Sequence, residues 1–216
     1  MKNILHITCS SRGAASESTR LSRFIIERLQ ARDPAAVLVE RSLSNDSIAH
    51  VDCGYAMSQA CDHDVSTAGS MARSEVLVRE LEQADCVVIG TPMHNLSVPS
   101  VLKAWIDHIV RARRTFRITE SGKVSMLHDR AVFIAVASGG RFSGERARQA
   151  DFLTPYLKAI LEMVGLKDVT FFSVQGTAAP PDILADARAI AKQAVLAHLD
   201  AHDASMPASP NDITEA

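Results

Sequence analysis

Three short stretches carry the residue types that could do chemistry. The first is Cys9-Ser10-Ser11-Arg12-Gly13-Ala14-Ala15-Ser16-Glu17-Ser18, where hydroxyls lead into a helical pattern. Hydroxyls, free backbone N–H groups and the positive end of a helix make a phosphate site that needs no lysine. The same serines also suit an ordinary cap and turn. The second is Pro92-Met93-His94-Asn95-Leu96, directly after the apolar run Cys86-Val87-Val88-Ile89. A β-branched run without polar alternation is a strand buried on both faces, and ligands of open α/β sheets bind beyond the carboxyl ends of such strands. The third is Ala137-Ser138-Gly139-Gly140, where glycines let backbone approach a flat ring closely, although glycine pairs also make plain turns.

Several chemistries are excluded by position. Neither GxGxxG nor GxxxxGK[ST] occurs, which removes a Rossmann dinucleotide clamp and a P-loop. A low-molecular-weight tyrosine phosphatase needs arginine six places after its cysteine, and counting from Cys9 reaches Ala15. A receiver domain needs acidic residues where Cys9, Ser10 and Ser11 stand, and no G-x-S-x-G elbow exists. The eight histidines form no HExxH, and His63 between Asp62 and Asp64 reads as a solvated turn, so no metal site is expected. Phosphate hydroxyls, a glycine-rich loop and no nucleophile–base pair suggest that a bound cofactor supplies the reactivity.

These stretches need elements to position them. Apolar runs at residues 4–8, 36–40, 86–91, 131–137 and 169–174 predict strands, with Pro92 stopping the central one at about Thr91. Helical periodicity follows Ser18 or Thr19 as N-cap, with Leu21, Phe24, Ile25, Ile26 and Leu29 on one side. Further helices are expected at residues 72–83, 99–112, 152–164 (closed by Gly165) and 181–201. Residues 41–70 predict an irregular excursion with one short helix, and Thr115-Phe116-Arg117-Ile118-Thr119 before Glu120-Ser121-Gly122 predicts a small hairpin or flap. Strands alternating with helices imply a flavodoxin-like α/β three-layer sandwich whose five parallel strands run in the order 2-1-3-4-5. Residues 1–201 then form one domain and residues 202–216 a disordered tail.

Composition agrees with this class. At 216 residues, 47% hydrophobic and 22% charged, the chain resembles an ordinary globular protein. It can bury roughly 70% of its unfolded surface. A net charge of -2 argues against nucleic-acid binding, and no apolar run approaches the ~20 residues of a membrane span. Met1-Lys2-Asn3-Ile4-Leu5-His6-Ile7 is too short and interrupted for a signal peptide, and the four cysteines show no CxxC, so a cytoplasmic protein without disulfides is expected. Arg111, Arg113, Arg114 and Arg117 form a basic cluster that reads as a solvated helix end or, more sharply, as a contact for ligand phosphates.

Together, Ser10 with Ser16-Glu17-Ser18, Pro92-Met93-His94-Asn95, Thr115-Phe116-Arg117, Gly139-Gly140 and Thr154-Pro155-Tyr156-Leu157 resemble the FMN-dependent NADH-azoreductase family of flavodoxin-like quinone reductases. The resemblance runs from Ile4 to about Leu199. It implies one FMN per subunit, with Ser10, Ser16, Glu17 and Ser18 at its phosphate. Met93, His94, Asn95 and Leu96 would lie along the ring, with Ala137, Ser138, Gly139 and Gly140 closing the other side and Phe116 and Ile118 in the substrate pocket. It further implies ping-pong hydride transfer from NADH or NADPH through flavin N5 to a quinone or azo acceptor, no catalytic side chain, and a homodimer. His94, Leu96 and Ile118 replace the family's usual Tyr, Phe and Tyr, which thins the aromatic wall. Two other readings fit the same residues: an FMN-binding carrier or redox sensor with little turnover, and a non-enzymatic module for another phosphorylated ligand.

Overall fold

The protein is described from a computed structural model, which covers residues 2–205. In chain order its elements are β1 (Asn3–Thr8), α1 (Glu17–Arg32), β2 (Val37–Ser42), α2 (Cys53–Ala60), α3 (Gly69–Gln83), β3 (Cys86–Pro92) and α4 (Ser100–Ile109). They continue with β4 (Phe116–Thr119), β5 (Gly122–Ser125), β6 (Ala131–Ser138), α5 (Leu153–Val164), β7 (Val169–Gln175) and α6 (Pro181–Ser205). Five strands pair in parallel in the order β2-β1-β3-β6-β7, while β4 and β5 form a separate antiparallel hairpin. The expected five-strand order therefore holds for the sheet, and the hairpin lies outside it.

Alternation along the buried strands divides the core in two. Ile4, Val88, Phe133 and Phe172 pack with Leu21, Ile25, Val195 and Leu199, which places α1 and α6 on one face. Leu5, Val87, Ile89 and Ile134 pack with Leu77, Trp105, Leu157 and Leu161, which places α3, α4 and α5 on the other. A strand contributing alternate residues to two apolar layers has no polar positions to spare, hence the unbroken run in β3. Burial pushes the Cys9 and Cys86 thiols up to about 12, so they act as small hydrophobes. All four cysteines are free. Among the described residues, no helix is long and apolar enough to cross a membrane.

Several boundaries differ from expectation for identifiable reasons. β3 continues through Pro92, paired with Ala137. Met93 N–H donates to Ala137 O at 2.8 Å on the β6 side, so the missing N–H of Pro92 belongs to the β1 side, where pairing has ended at Thr8 and Gly90. The helix expected at 72–83 begins at Gly69 because Asp52 caps two helices at once. Its carboxylate accepts from Tyr55 N–H of α2 and from Ser70 N–H of α3, both at 2.8 Å, an arrangement with no local sequence signal. α4 stops at Ile109, short of the expected 112, because the chain turns through Arg113 at φ +66. The last helix runs to Ser205, past the expected 201, and the rest of the expected disordered tail lies outside the described residues.

Three arginines of the basic cluster are engaged in ion pairs and hydrogen bonds. Arg111 bonds Glu75 and Asp64, Arg113 bonds Asp64 and the carbonyls of Ser58 and Cys61, and Arg114 bonds Glu75 and Glu82. Both readings of it are thereby corrected for these three residues: they tie α2 and α3 to the end of α4.

Gly90 fixes the spacing between β3 and α1. A methyl group there would stand 2.6 Å from Ser22 Oγ and 3.0 Å from Ser18 O. Gly90→Ala is expected to cost about 1–3 kcal/mol by overpacking. Tm should then fall by about 2–4 °C for each kcal/mol lost. An unchanged Tm in calorimetry would show that α1 yields freely.

Candidate functional site

Parallel pairing sets the carboxyl ends of β1, β3, β6 and β7 along one edge, so the loops that leave them share a rim. Hydrogen bonds stitch these loops together. Cys9 N–H donates to Gly90 O at 3.0 Å, Thr177 N–H to Ser138 O at 3.0 Å, and Phe152 N–H to Leu96 O at 3.1 Å. Met93 N–H, donating to Ala137 O at 2.8 Å, joins the second predicted stretch to the third, while Cys9 N–H holds the first to the central strand.

The first loop makes a short 3-10 turn at Gly13–Ala15 and enters α1. The N-cap is Ser16, two or three residues earlier than expected, and its side chain makes no capping bond. Its hydroxyl instead lies 2.9 Å from Ser18 Oγ. The first N–H groups of a helix need partners from outside it, and at this uncapped end they are of the kind that suits an anion. Ser10, Ser16 and Ser18 are all buried beside it, and Thr19 Oγ1 is buried without a partner among the described residues. These residues fit a phosphate group. The Glu17 carboxylate turns to α6, where Arg188 holds it, and this hydrogen bond keeps its pKa below the usual carboxylate range.

His6 lies beneath this loop and was not singled out in the sequence, because a lone histidine in an apolar strand has no distinguishing pattern. Its Nε2 is 2.9 Å from Ser22 Oγ, which itself donates to Thr19 O at 3.1 Å. Burial pushes its pKa down to about 4 against the opposing pull of Glu40, whose carboxylate is 3.5 Å from Nδ1. A neutral ring donating through Ser22 to the Thr19 carbonyl braces the first turn of α1.

The second loop is a two-residue hairpin turn. His94 and Ser97 exchange reciprocal backbone bonds of 2.9 Å, and Asn95 and Leu96 between them have φ of 48 and 68. Positive φ at both central residues is the type I′ geometry. Asparagine tolerates it, whereas Leu96 is strained. His94, Asn95 and Leu96 are exposed on this turn, and His94 and Asn95 line a cleft of about 540 Å³ with Ser97, Val98, Ser100, Lys103 and Tyr156.

In the third loop, Ala137 and Ser138 remain part of β6 and are buried. Gln149, which the sequence did not signal, donates through Nε2 to Ser138 Oγ at 2.9 Å and Met93 Sδ at 3.0 Å. It thereby locks the second loop to the third. A Cβ on Gly140 would lie 2.4 Å from Gln149 Oε1, while one on Gly139 would meet no heavy atom within 4 Å. Gly140 therefore admits its neighbour and Gly139 leaves open backbone at the rim.

Phe116 and Ile118 are not brought to this rim within one chain. The hairpin packs on the far end of α5, with Leu127 N–H on Val164 O at 3.2 Å and Lys123 Nζ 3.7 Å from Met163 Sδ. Phe116 is 7% exposed under the Lys123 ammonium, and Ile118 is 73% exposed. Sequence separation cannot reveal this, since the crossover from β3 to β6 spans the whole height of the sheet.

Comparison with known proteins agrees with this fold. The family model described as Flavodoxin-like fold matches residues 2–199. The FMN-dependent NADH:quinone oxidoreductase 5 of Burkholderia lata is 42% identical over 187 residues, which cover 87% of this chain and 91% of the relative. A protein of the same activity name from Ralstonia nicotianae is 39% identical, covering 93% of this chain and 95% of its own. An azoreductase structure from Bacillus anthracis superposes with a TM-score of 0.78 at 23% identity, over 90% of this chain and 99% of that one. An FMN-dependent NADH-azoreductase from the same species, in complex with FMN, gives 0.77 at 24% identity over 92% of this chain and 99% of that one. The last two likenesses are likenesses of fold.

Two stability measurements test the rim. Leu96→Gly should relieve the left-handed strain and stabilise the fold by about 1 kcal/mol; a lower Tm would contradict it. His6 resists a proton that unfolded chains accept at about 6.5, so it costs nothing above that pH and destabilises as pH falls toward about 4. The urea midpoint should therefore fall between about pH 6.5 and 4.5, and less steeply in His6→Gln. Equal slopes in both proteins would remove His6 as the cause.

Proposed function

The chain belongs to the flavodoxin-like family of FMN-dependent NADH:quinone oxidoreductases, and from that premise we propose that it reduces quinones, and aromatic azo compounds, with NADH through bound FMN. The observation that carries the reading is the uncapped, serine-lined start of α1 on the same rim as the strained turn at Asn95 and Leu96. Bound there, FMN would supply a two-electron centre able to couple NADH oxidation to reduction of the acceptor.

The side chains bind and orient. Ser10, Ser16 and Ser18, with the N–H groups of Glu17 and Ser18, would hold the phosphate without a cationic side chain in contact. Met93, His94, Asn95 and Leu96 would line one side of the flavin, and Ala137, Ser138, Gly139 and Gly140 the other. Backbone N–H groups of these loops would stabilise negative charge on the reduced cofactor, which is the preorganised donor effect. Gln149 keeps the two walls at fixed separation through Met93 and Ser138. No side chain is required as nucleophile or base.

The site is completed by a second copy of the chain. The exposed Ile118 and the buried Phe116 sit on a hairpin at the opposite end of the sheet from the rim, so they reach a pocket only in a homodimer, each lining the partner's site. Exposed Leu96 and Phe152 at the rim are apolar surface of the kind such a contact covers. Four free thiols suit the reducing cytoplasm.

The purified protein is expected to be yellow, or to become so on adding FMN, and to oxidise NADH only when a quinone such as menadione is present, with parallel double-reciprocal plots. A colourless protein that takes up no FMN ends this reading. Bound FMN without turnover would favour the carrier or redox sensor instead.

A further inference from the structure

Glu17 raises an electrostatic problem at the phosphate end of the cofactor reading, on which this inference rests. Its carboxylate belongs to the first residue of α1, and the first turn of a helix attracts negative charge of any kind. A carboxylate and a phosphate dianion at one helix end compete for the same donors and repel each other. The structure resolves the conflict from a distant part of the chain. Arg188 of α6 grips Glu17 in a two-point bond, Nε to Oε2 at 2.8 Å and Nη2 to Oε1 at 2.7 Å. Arg20 adds a third bond, Nη1 to Oε1 at 2.9 Å. The Glu17 side chain is only 9% exposed, while Arg188 is 39% exposed and reaches in from a cleft of about 270 Å³ between α1 and α6. A buried carboxylate held by two guanidinium groups is neutralised and turned away from the loop.

We propose that Arg188 determines the preference of this protein for a phosphorylated flavin over riboflavin, by cancelling the Glu17 charge beside the phosphate. It is a positioning residue that acts through Glu17 and touches no part of the cofactor. Two features separate this role from a purely structural one. The effect should appear only with a ligand that carries a phosphate, and it should vanish when the Glu17 charge is removed together with the arginine.

The test titrates apoprotein with FMN and, separately, with riboflavin, following quenching of flavin fluorescence, and records the Tm of each apoprotein. Arg188→Met should weaken FMN binding by about tenfold or more and leave riboflavin binding within about twofold. The double variant Glu17→Gln with Arg188→Met should recover most of the lost FMN affinity. Equal weakening for both flavins, or no recovery in the double variant, overturns the proposal. Should Arg188→Met fail to fold, Glu17→Gln alone decides: freeing two guanidinium groups beside the phosphate should tighten FMN and leave riboflavin unchanged, and a loss of FMN affinity overturns the proposal. Wild-type protein that binds neither flavin refutes the cofactor reading itself, whereas wild type that binds FMN beside an Arg188→Met variant of equal affinity refutes only the role of Arg188.

Discussion

The rim depends on how closely α1 can lie against β3. Gly90 has no side chain, and the carbonyl of Ser18 and the hydroxyl of Ser22 occupy the space where one would stand. That contact sets the start of α1 beside the end of the central strand. The His6, Ser22 and Thr19 chain of bonds then holds the first turn from below. A phosphate site built of N–H groups has no long side chain to adjust, so its precision comes from the placement of the helix itself.

The second dependence is between loops. Met93, Ser138 and Gln149 meet through one amide, and Phe152 and Leu96 through a backbone bond. The turn at Asn95 and Leu96 holds a leucine in the left-handed region, a conformation of the kind that persists where surrounding structure over-determines it. Rigid walls suit a flat cofactor that must present one atom to two successive partners.

A few arginines join elements that are far apart in the chain. Arg111 and Arg114 bridge α3 to the end of α4, Arg113 ties α2 to the same turn, Arg41 joins Asp46 and Glu80, and Arg188 reaches Glu17 across two helices. These pairs tie α2 and α3 to the end of α4, β2 to α3, and the last helix to α1. Such partly buried networks specify which elements meet more than they add net stability.

By itself the sequence determined the strands, most helices, the parallel order and which three loops leave the carboxyl ends of β1, β3 and β6. Hydrophobic periodicity, proline and glycine are local signals, and the carboxyl-end rule for parallel sheets carries them to one rim. The closure of α5 by Gly165 at φ +113 is legible for the same reason. What only the tertiary structure decided are contacts between residues far apart in the chain. Asp52 caps two helices, Gln149 joins two loops, Glu17 finds its partner 171 positions away, and the arginines after α4 are paired with acids from α3 and from the segment between α2 and α3. The hairpin with Phe116 and Ile118 lies at the wrong end of its own chain's sheet for the same reason. A linear pattern records which side chains are present and how they alternate, but the pairing of charges and amides is settled only when packing fixes distances in space.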